Sequence, residues 1–292
     1  MEPLRGLLVV DFTRYLPGPF ASRELLELGA RVVCVEPPGG DPLRESVPEW
    51  YAALAAGKES VVVDLKEDPS VALSLLAQAD VVLEAFRPGV ASRLGIGPEH
   101  APETAVYCSI TGFGVDGPHA QRAGHDLNYV GWAGVLEDTA PALPPVPIAD
   151  FAAGAMAAVN RILAALLERE KTGRGAHVVV SMTHGAHRLA SRLLLTGGLA
   201  CYRIYPTADR RWLTVAALEP VFWLRLVGLL GRPDLAARHY EEDQDALAAE
   251  LEAVFVARSL AEWLELVDGE DVCVGPVATL AEAAVEFGRP VA

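Results

Sequence analysis

Positive charge is scarce in this 292-residue sequence: 24 Lys and Arg stand against 39 Asp and Glu, for a formal net charge of -15 at pH 7. A phosphate-binding face needs clustered basic side chains, so this balance excludes unaided binding of nucleic acid or an anionic membrane. An anionic small molecule would need its own local basic patch. Cysteine is equally sparse. Cys34, Cys108, Cys201 and Cys273 lie far apart in apolar, strand-like surroundings, which reads as four reduced core residues and neither a disulfide frame nor a metal knuckle. No G-x-G-x-x-G follows the first strand-like run, where "DFTRYLPGPFAS" stands instead, and no G-x-x-x-x-G-K-[ST] occurs. The usual dinucleotide and triphosphate loops are thereby excluded, so neither NAD nor a metal is expected as cofactor. The longest apolar helical stretch, 149–168, is interrupted by Asp150, Asn160 and Arg161, so no membrane span is expected. The sequence opens directly into "GLLVVDF", without the charged and apolar regions of a signal peptide, and "RPVA" is no organelle address. A cytoplasmic location is the resulting expectation.

Hydrophobic residues make up 51% of the chain, enough to fill a sizeable core. In the first 180 residues they fall into short continuous runs: "LLVVD" 7–11, "RVVCVE" 31–36, "SVVVDL" 60–65, "DVVLEA" 80–85, "AVYCSI" 105–110 and "HVVVSM" 177–182. Such runs predict strands buried on both faces. Between them, "PFASRELLELGA" and "DPSVALSLLAQA" carry apolar residues at helical spacing. The alternation predicts an α/β fold with an open, mostly parallel sheet and helices on both sides. Near 196 the pattern changes to "TGGLACYRIYPTADRRWLTVAALEP", with Gly-Gly, Pro and short strand-like pieces. The expected organisation is a large domain over 1–195, a linker over 196–212 and a smaller, mainly helical α+β domain over 213–292.

Four acid-base residues stand out, each with a structural alternative. His125 and Asp126 precede the helix-like "LNYVGWAGVL", where Asp126 could be an N-cap and His125 a solvated neighbour, or the two could be working groups. Asp150 precedes "FAAGAMAAVNRILAALLERE", the most convincing long helix, so a capping role is open to it as well. A helix N-terminus also favours an ionised carboxylate, and the small residues around Asp150 would admit a ligand to the helix backbone. Glu219, beside Pro220, sits where a strand-like run meets a helix and fits a first-turn acid equally well. The His184 and His187 pair in "HGAH" has metal-like spacing but no third ligand nearby, which speaks against zinc. Among basic residues, Arg14 and Arg87 follow strands, where parallel sheets gather ligands, whereas Lys58 precedes one.

The ordered motifs "LPGPFASRELLELGARVVCVEPPGGDPLR", "GKESVVVDLK", "FRPGV", "TGFGVDGP", "GHDLNYVGWAGVL", "PIADFAAGAM", "TGRGAHVVVSM" and "AALEPVFW" resemble the family III CoA-transferase superfamily. Within it they are most similar to the α-methylacyl-CoA racemases. The resemblance implies a Rossmann-like large domain, a small domain and an interlocked homodimer. It implies inversion at the α-carbon of a 2-methylacyl-CoA by two-base proton transfer, with His125 and Asp150 as the pair, Glu219 orienting His125 and Asp126 supporting the site. It places Arg87, Lys58 and Glu59 against CoA, with Arg14 nearby, and implies no cofactor beyond the CoA of the substrate. The family's tail returning to the large domain is not evident after "EFGRPVA", and the loop around "TGGLACY" looks shorter. Two other functions remain open: a CoA transferase with Asp126 as nucleophile, and a non-catalytic acyl-CoA-binding paralogue.

Overall fold

Six parallel strands form the central sheet of this computed structural model, which describes residues 2–137, 139–190 and 198–288. They are β1 (Leu8–Asp11), β2 (Arg31–Glu36), β3 (Glu59–Val62), β4 (Val81–Glu84), β5 (Val106–Thr111) and β6 (Ala176–Ser181). The order across the sheet is β3-β2-β1-β4-β5-β6, a Rossmann-like arrangement. Its register pairs Val9 with both Val32 and Val81, and Val82 with Tyr107.

The continuous apolar runs have a direct structural cause. On one face Val9, Val81, Leu83, Val106, Cys108 and Ile110 join a core completed by the helices Pro17–Glu27 and Ala149–Thr172. On the other, Val10, Val82 and Tyr107 pack with Ala72, Leu76, Ala91 and Ile96. Side chains alternate along each strand, so two apolar faces require apolar residues at every position. The edge strands depart from the sequence expectation. Glu59 and Ser60 of β3 are exposed and Val62 is 64% exposed, and β6 begins with exposed Ala176 and His177. Each has a neighbour on one side only, which relaxes burial at the sheet edge.

The helix after β1 starts with Pro17, whose fixed φ and missing N–H suit the first helical turn. The long segment Ala149–Thr172 has the length and composition of a membrane span, yet Ala153, Ala155, Ala158, Val159, Ile162 and Leu166 are buried in the core. Its first eight residues, Ala149–Met156, form a π-helix before the α-helix Ala157–Thr172 begins. Gly173 ends it in the left-handed region at φ 70°, donating its N–H to Arg169 O at 2.7 Å.

Two compact units divide the chain, one ending at Ala190 and the next beginning at Ser191. The expected domain end at 195 falls in 191–197, outside the described residues, as do 289–292 of the C-terminal motif. The second unit contains an antiparallel sheet of β7 (Tyr202–Pro206), β8 (Trp212–Ala216) and β9 (Val274–Pro276). The expected linker over 196–212 is therefore corrected: it contains β7, whose Tyr205 is fully buried and pairs with Leu213. Helix Gln244–Phe255 buries Leu247, Ala248, Leu251 and Phe255 at helical spacing, and Trp223 and Trp263 complete this core.

Candidate active site

The first unit's site lies beyond the carboxyl ends of β1, β4 and β5. Connections from β1 and β4 diverge there, because the sheet is extended to opposite sides by β2 and β5. The loops enclose a cavity of about 430 Å³ lined by, among others, Arg14, Tyr15, Arg87, Arg122, His125 and Asp150. His125 and Asp150, 25 positions apart in sequence, thus face one space.

His125 is the N-cap of helix Asp126–Trp132, with extended backbone, and its N–H donates to Asn128 Oδ1 at 3.1 Å. This local fixing leaves the imidazole exposed toward the cavity, edge-on to the Tyr15 ring with centroids 5.8 Å apart. Tyr15 itself has φ 67°, an unfavourable value for a bulky residue, and its N–H donates to Asp41 Oδ2 at 3.2 Å. Asp126 is the first residue of the helix and does not cap it. Its Oδ1 instead accepts the N–H of Asp150 at 2.9 Å, tying the two acid-bearing segments together.

Asp150 is the second residue of the π-helix and is 8% exposed. Burial, with the nearby Asp126 charge adding to it, pushes its carboxyl up to about 7. No described residue donates a hydrogen bond to that carboxyl, so nothing offsets the cost of its charge. A proton can therefore leave or return to it near neutral pH. Beside it Tyr129 is buried, its hydroxyl pushed up to about 12 by burial and by the charges of Asp150 and Asp126. That hydroxyl donates to Gly124 O at 2.5 Å. A Cβ at Gly112 or Gly124 would come within 2.6 or 2.7 Å of the Tyr129 ring, which is why the motif needs glycine at both places.

Arg14 and Arg87 line the cavity from the loops after β1 and β4. Arg14 also lines an adjoining cavity of about 430 Å³ with Phe12, Pro37, Asp64, Lys66, Phe86 and Leu94, mostly apolar walls with two basic side chains and one acidic one. Lys58 and Glu59, expected beside the ligand, do not line this cavity. Lys58 Nζ is turned inward to Pro19 O at 2.6 Å and Ser22 Oγ at 2.7 Å, and burial lowers its pKa. Glu59 forms a two-pronged pair with Arg31 at 2.7 and 2.8 Å on the sheet edge. Both side chains are engaged within the fold, and both line a separate small cavity of about 60 Å³.

Glu219 belongs to the second unit, where it is the exposed N-cap of helix Pro220–Leu229. Its backbone carbonyl accepts the N–H groups of Phe222 and Trp223 at 3.0 and 3.1 Å. His184 Nδ1 lies 2.7 Å from Ser181 Oγ and His187 Nδ1 2.9 Å from Ala133 O, and the described residues contain no cluster of three metal-ligating side chains. Tyr15, Arg122, Tyr129 and Lys66 are the site residues that sequence reasoning missed. Lys66 carried a signal, since "VVVDLK" places it just beyond a strand; the other three required tertiary contacts.

Comparison with known proteins agrees with this architecture. CoA-transferase family III matches residues 4–287. The α-methylacyl-CoA racemase of Homo sapiens is 34% identical over 307 residues, covering 96% of this chain and 78% of that protein. The acetyl-CoA:oxalate CoA-transferase of Acetobacter aceti is 33% identical, with 97% and 82% covered. A crystal structure of Rv3272 from Mycobacterium tuberculosis aligns with a TM-score of 0.84 at 33% identity, covering 97% of this chain and 84% of that one.

Proposed function

The chain belongs to CoA-transferase family III, and from that premise we propose that it inverts the α-carbon of a 2-methylacyl-CoA by proton transfer between His125 and Asp150. The observation that carries this reading is a buried carboxyl near pKa 7 in the cavity that also receives His125. In one direction the Asp150 carboxylate removes the α-proton and the C–H electron pair moves into the thioester as an enolate. Protonated His125 then gives a proton to the opposite face, and the reverse direction exchanges the two roles. Arg14, Lys66 and Arg87 hold the nucleotide and phosphates of CoA. Asp126 supports the carboxyl by fixing the Asp150 amide.

CoA transfer through an acyl anhydride on Asp126 is the second reading, supported by the 33% identity to an oxalate CoA-transferase. Against it stands the contact already made by Asp126 to the Asp150 amide, and Asp126 is absent from the cavity lining. One enantiomer of a 2-methylacyl-CoA incubated in D2O separates the readings. Deuterium at the α-carbon with inversion supports racemisation. Absence of exchange, together with a trapped acyl group on Asp126, would overturn it in favour of transfer; CoA-ester binding with neither would leave a non-catalytic binder.

A further inference from the structure

The strained backbone of Tyr15, in the loop between β1 and helix Pro17–Glu27, has no part in the two-base reading. Its φ of 67° is left-handed, and among the described residues only Arg210 shares that region without being glycine. A Cβ there crowds the backbone, so a bulky residue persists only where its surroundings hold it. Glycine or asparagine would form the same turn with less strain. An aromatic residue in their place points to a use for its ring.

The loop is fixed on both sides of Tyr15. Before it, the Phe12 N–H donates to Leu83 O at 2.8 Å and the Thr13 N–H to Asp11 Oδ1 at 2.8 Å. After it, the Phe20 N–H donates to Leu16 O at 2.9 Å, and Gly18 packs so closely on Thr13 that a Cβ there would overlap its side chain. At Tyr15 itself the N–H reaches Asp41 Oδ2 at 3.2 Å. Asp41 is buried, its Oδ1 accepts the Leu43 N–H at 2.8 Å, and its own N–H donates to Glu36 Oε2 at 3.1 Å. A cluster more than 20 residues further along the chain thus holds the strained turn. Among the described residues Tyr15 alone lines both the 60 Å³ cavity around that cluster and the 430 Å³ cavity of the site. In the larger one its ring meets the His125 imidazole at an interplanar angle of 85°, the only aromatic ring against His125 among the described residues.

We propose that Tyr15 is a positioning residue for His125: its ring, held in place by buried Asp41, confines the imidazole to the orientation in which it faces the reacting carbon. The inference rests on the reading of His125 and Asp150 as the reacting pair. An exposed histidine at a helix N-cap has several staggered rotamers, and a ring packed beside it removes those that would swing into the same space. The restraint matters because a misplacement of about 1 Å at a reacting group costs on the order of 10²-fold in rate. A perpendicular aromatic contact makes no hydrogen bond to the imidazole nitrogens, so it restrains the ring without drawing on the proton being transferred.

The test compares the native protein with Tyr15→Asn, Tyr15→Phe and Asp41→Asn. Asparagine tolerates the left-handed turn and removes the ring, whereas phenylalanine keeps the ring. The first readout is the mobility of the His125 imidazole, from NMR relaxation of protein labelled with ¹³C-histidine, the His125 signal being assigned by its loss in His125→Ala. The second is kcat and KM for α-proton exchange of a 2-methylacyl-CoA in D2O. Tyr15→Asn is expected to free the imidazole and to lower kcat about tenfold or more with KM little changed. Its melting temperature should equal or exceed the native one, because the substitution relieves strain. Tyr15→Phe should retain the native mobility and most of the turnover, and Asp41→Asn, with one acceptor fewer for the Tyr15 and Leu43 N–H groups, should loosen the imidazole to a smaller extent. Equal His125 mobility in the native protein and Tyr15→Asn would overturn the proposal. So would a raised KM with kcat intact, which assigns the ring to substrate binding, or a lowered melting temperature with kcat intact, which makes Tyr15 structural only. No exchange by the native protein, with the imidazole still freed in Tyr15→Asn, would instead defeat the racemase reading alone.

Discussion

Two charged clusters in the first unit, both near the carboxyl end of β1, are built on opposite principles. Around the 60 Å³ cavity every charge has an internal partner. Glu36 accepts from Arg44 at 2.9 Å through two nitrogens, from Ser60 at 2.7 Å, and from Tyr51 and the Asp41 N–H at 3.1 Å. Asp11 accepts from Thr13 and Ser22, and Lys58 donates to Ser22 and Pro19. Around the 430 Å³ cavity the reverse holds: three arginines have no ion pair among the described residues and the Asp150 carboxyl has no donor among them. Saturated charge fixes a fold, and unsaturated charge in a cavity is available to a ligand. Lys58 and Asp150 show the difference most clearly. Burial displaces both from their ordinary pKa values, but only Asp150 opens onto a space large enough for a substrate.

The strongest way to break this contrast is to neutralise the unsaturated carboxyl. Asp150→Asn, and separately His125→Ala, should lower turnover by about 10²–10⁴-fold. Near-normal racemisation by either would defeat the two-base assignment. Asp150→Asn should also stabilise the fold at pH 8. Below the unfolded value of 3.8 both states hold the proton; between there and about 7 the unfolded chain releases it while the fold retains it, so native stability falls as pH rises through that window. The neutral amide escapes that loss, and melting curves at pH 4 and pH 8 should show its advantage growing with pH, toward an order of 2–4 kcal/mol.

The saturated cluster should respond in the opposite sense. Glu36→Ala removes the acceptor of five hydrogen bonds and should destabilise by about 2–3 kcal/mol in denaturant titrations at pH 7. Burial raises the Glu36 pKa, but its contacts with Arg44, Ser60, Asp41 and Tyr51 outweigh burial and hold it at about 2. Its contribution is present above the ordinary 4.5 and is lost as pH falls through about 2, so the variant and native proteins should converge in strong acid. Arg87→Ala should have the smallest effect, raising the Michaelis constant for CoA esters about tenfold with little change in turnover, since its contact is remote from the reacting carbon. An unchanged Michaelis constant would remove Arg87 from the ligand site.

The amino-acid sequence by itself determined the six-stranded parallel sheet, because strands covered on both faces must be apolar at every position and short helices must return between them. It also marked His125, Asp150 and the arginines after β1 and β4, since strand ends and helix starts are readable locally. The exposure of β3 was not readable: the same valines serve an edge or an interior strand, and only the pairing order assigns the edge. The same limit explains Lys58, which follows a turn in sequence like a ligand-binding lysine but is drawn inward by Ser22 and Pro19 across 36 and 39 residues. Tertiary structure likewise decided that Asp126 accepts the Asp150 N–H and does not cap its own helix, that Arg122 lies over the Trp132 ring, and that burial raises the Asp150 carboxyl to about 7. Each depends on burial and on contacts distant in sequence, and a carboxyl or a guanidinium takes its chemical character from those surroundings.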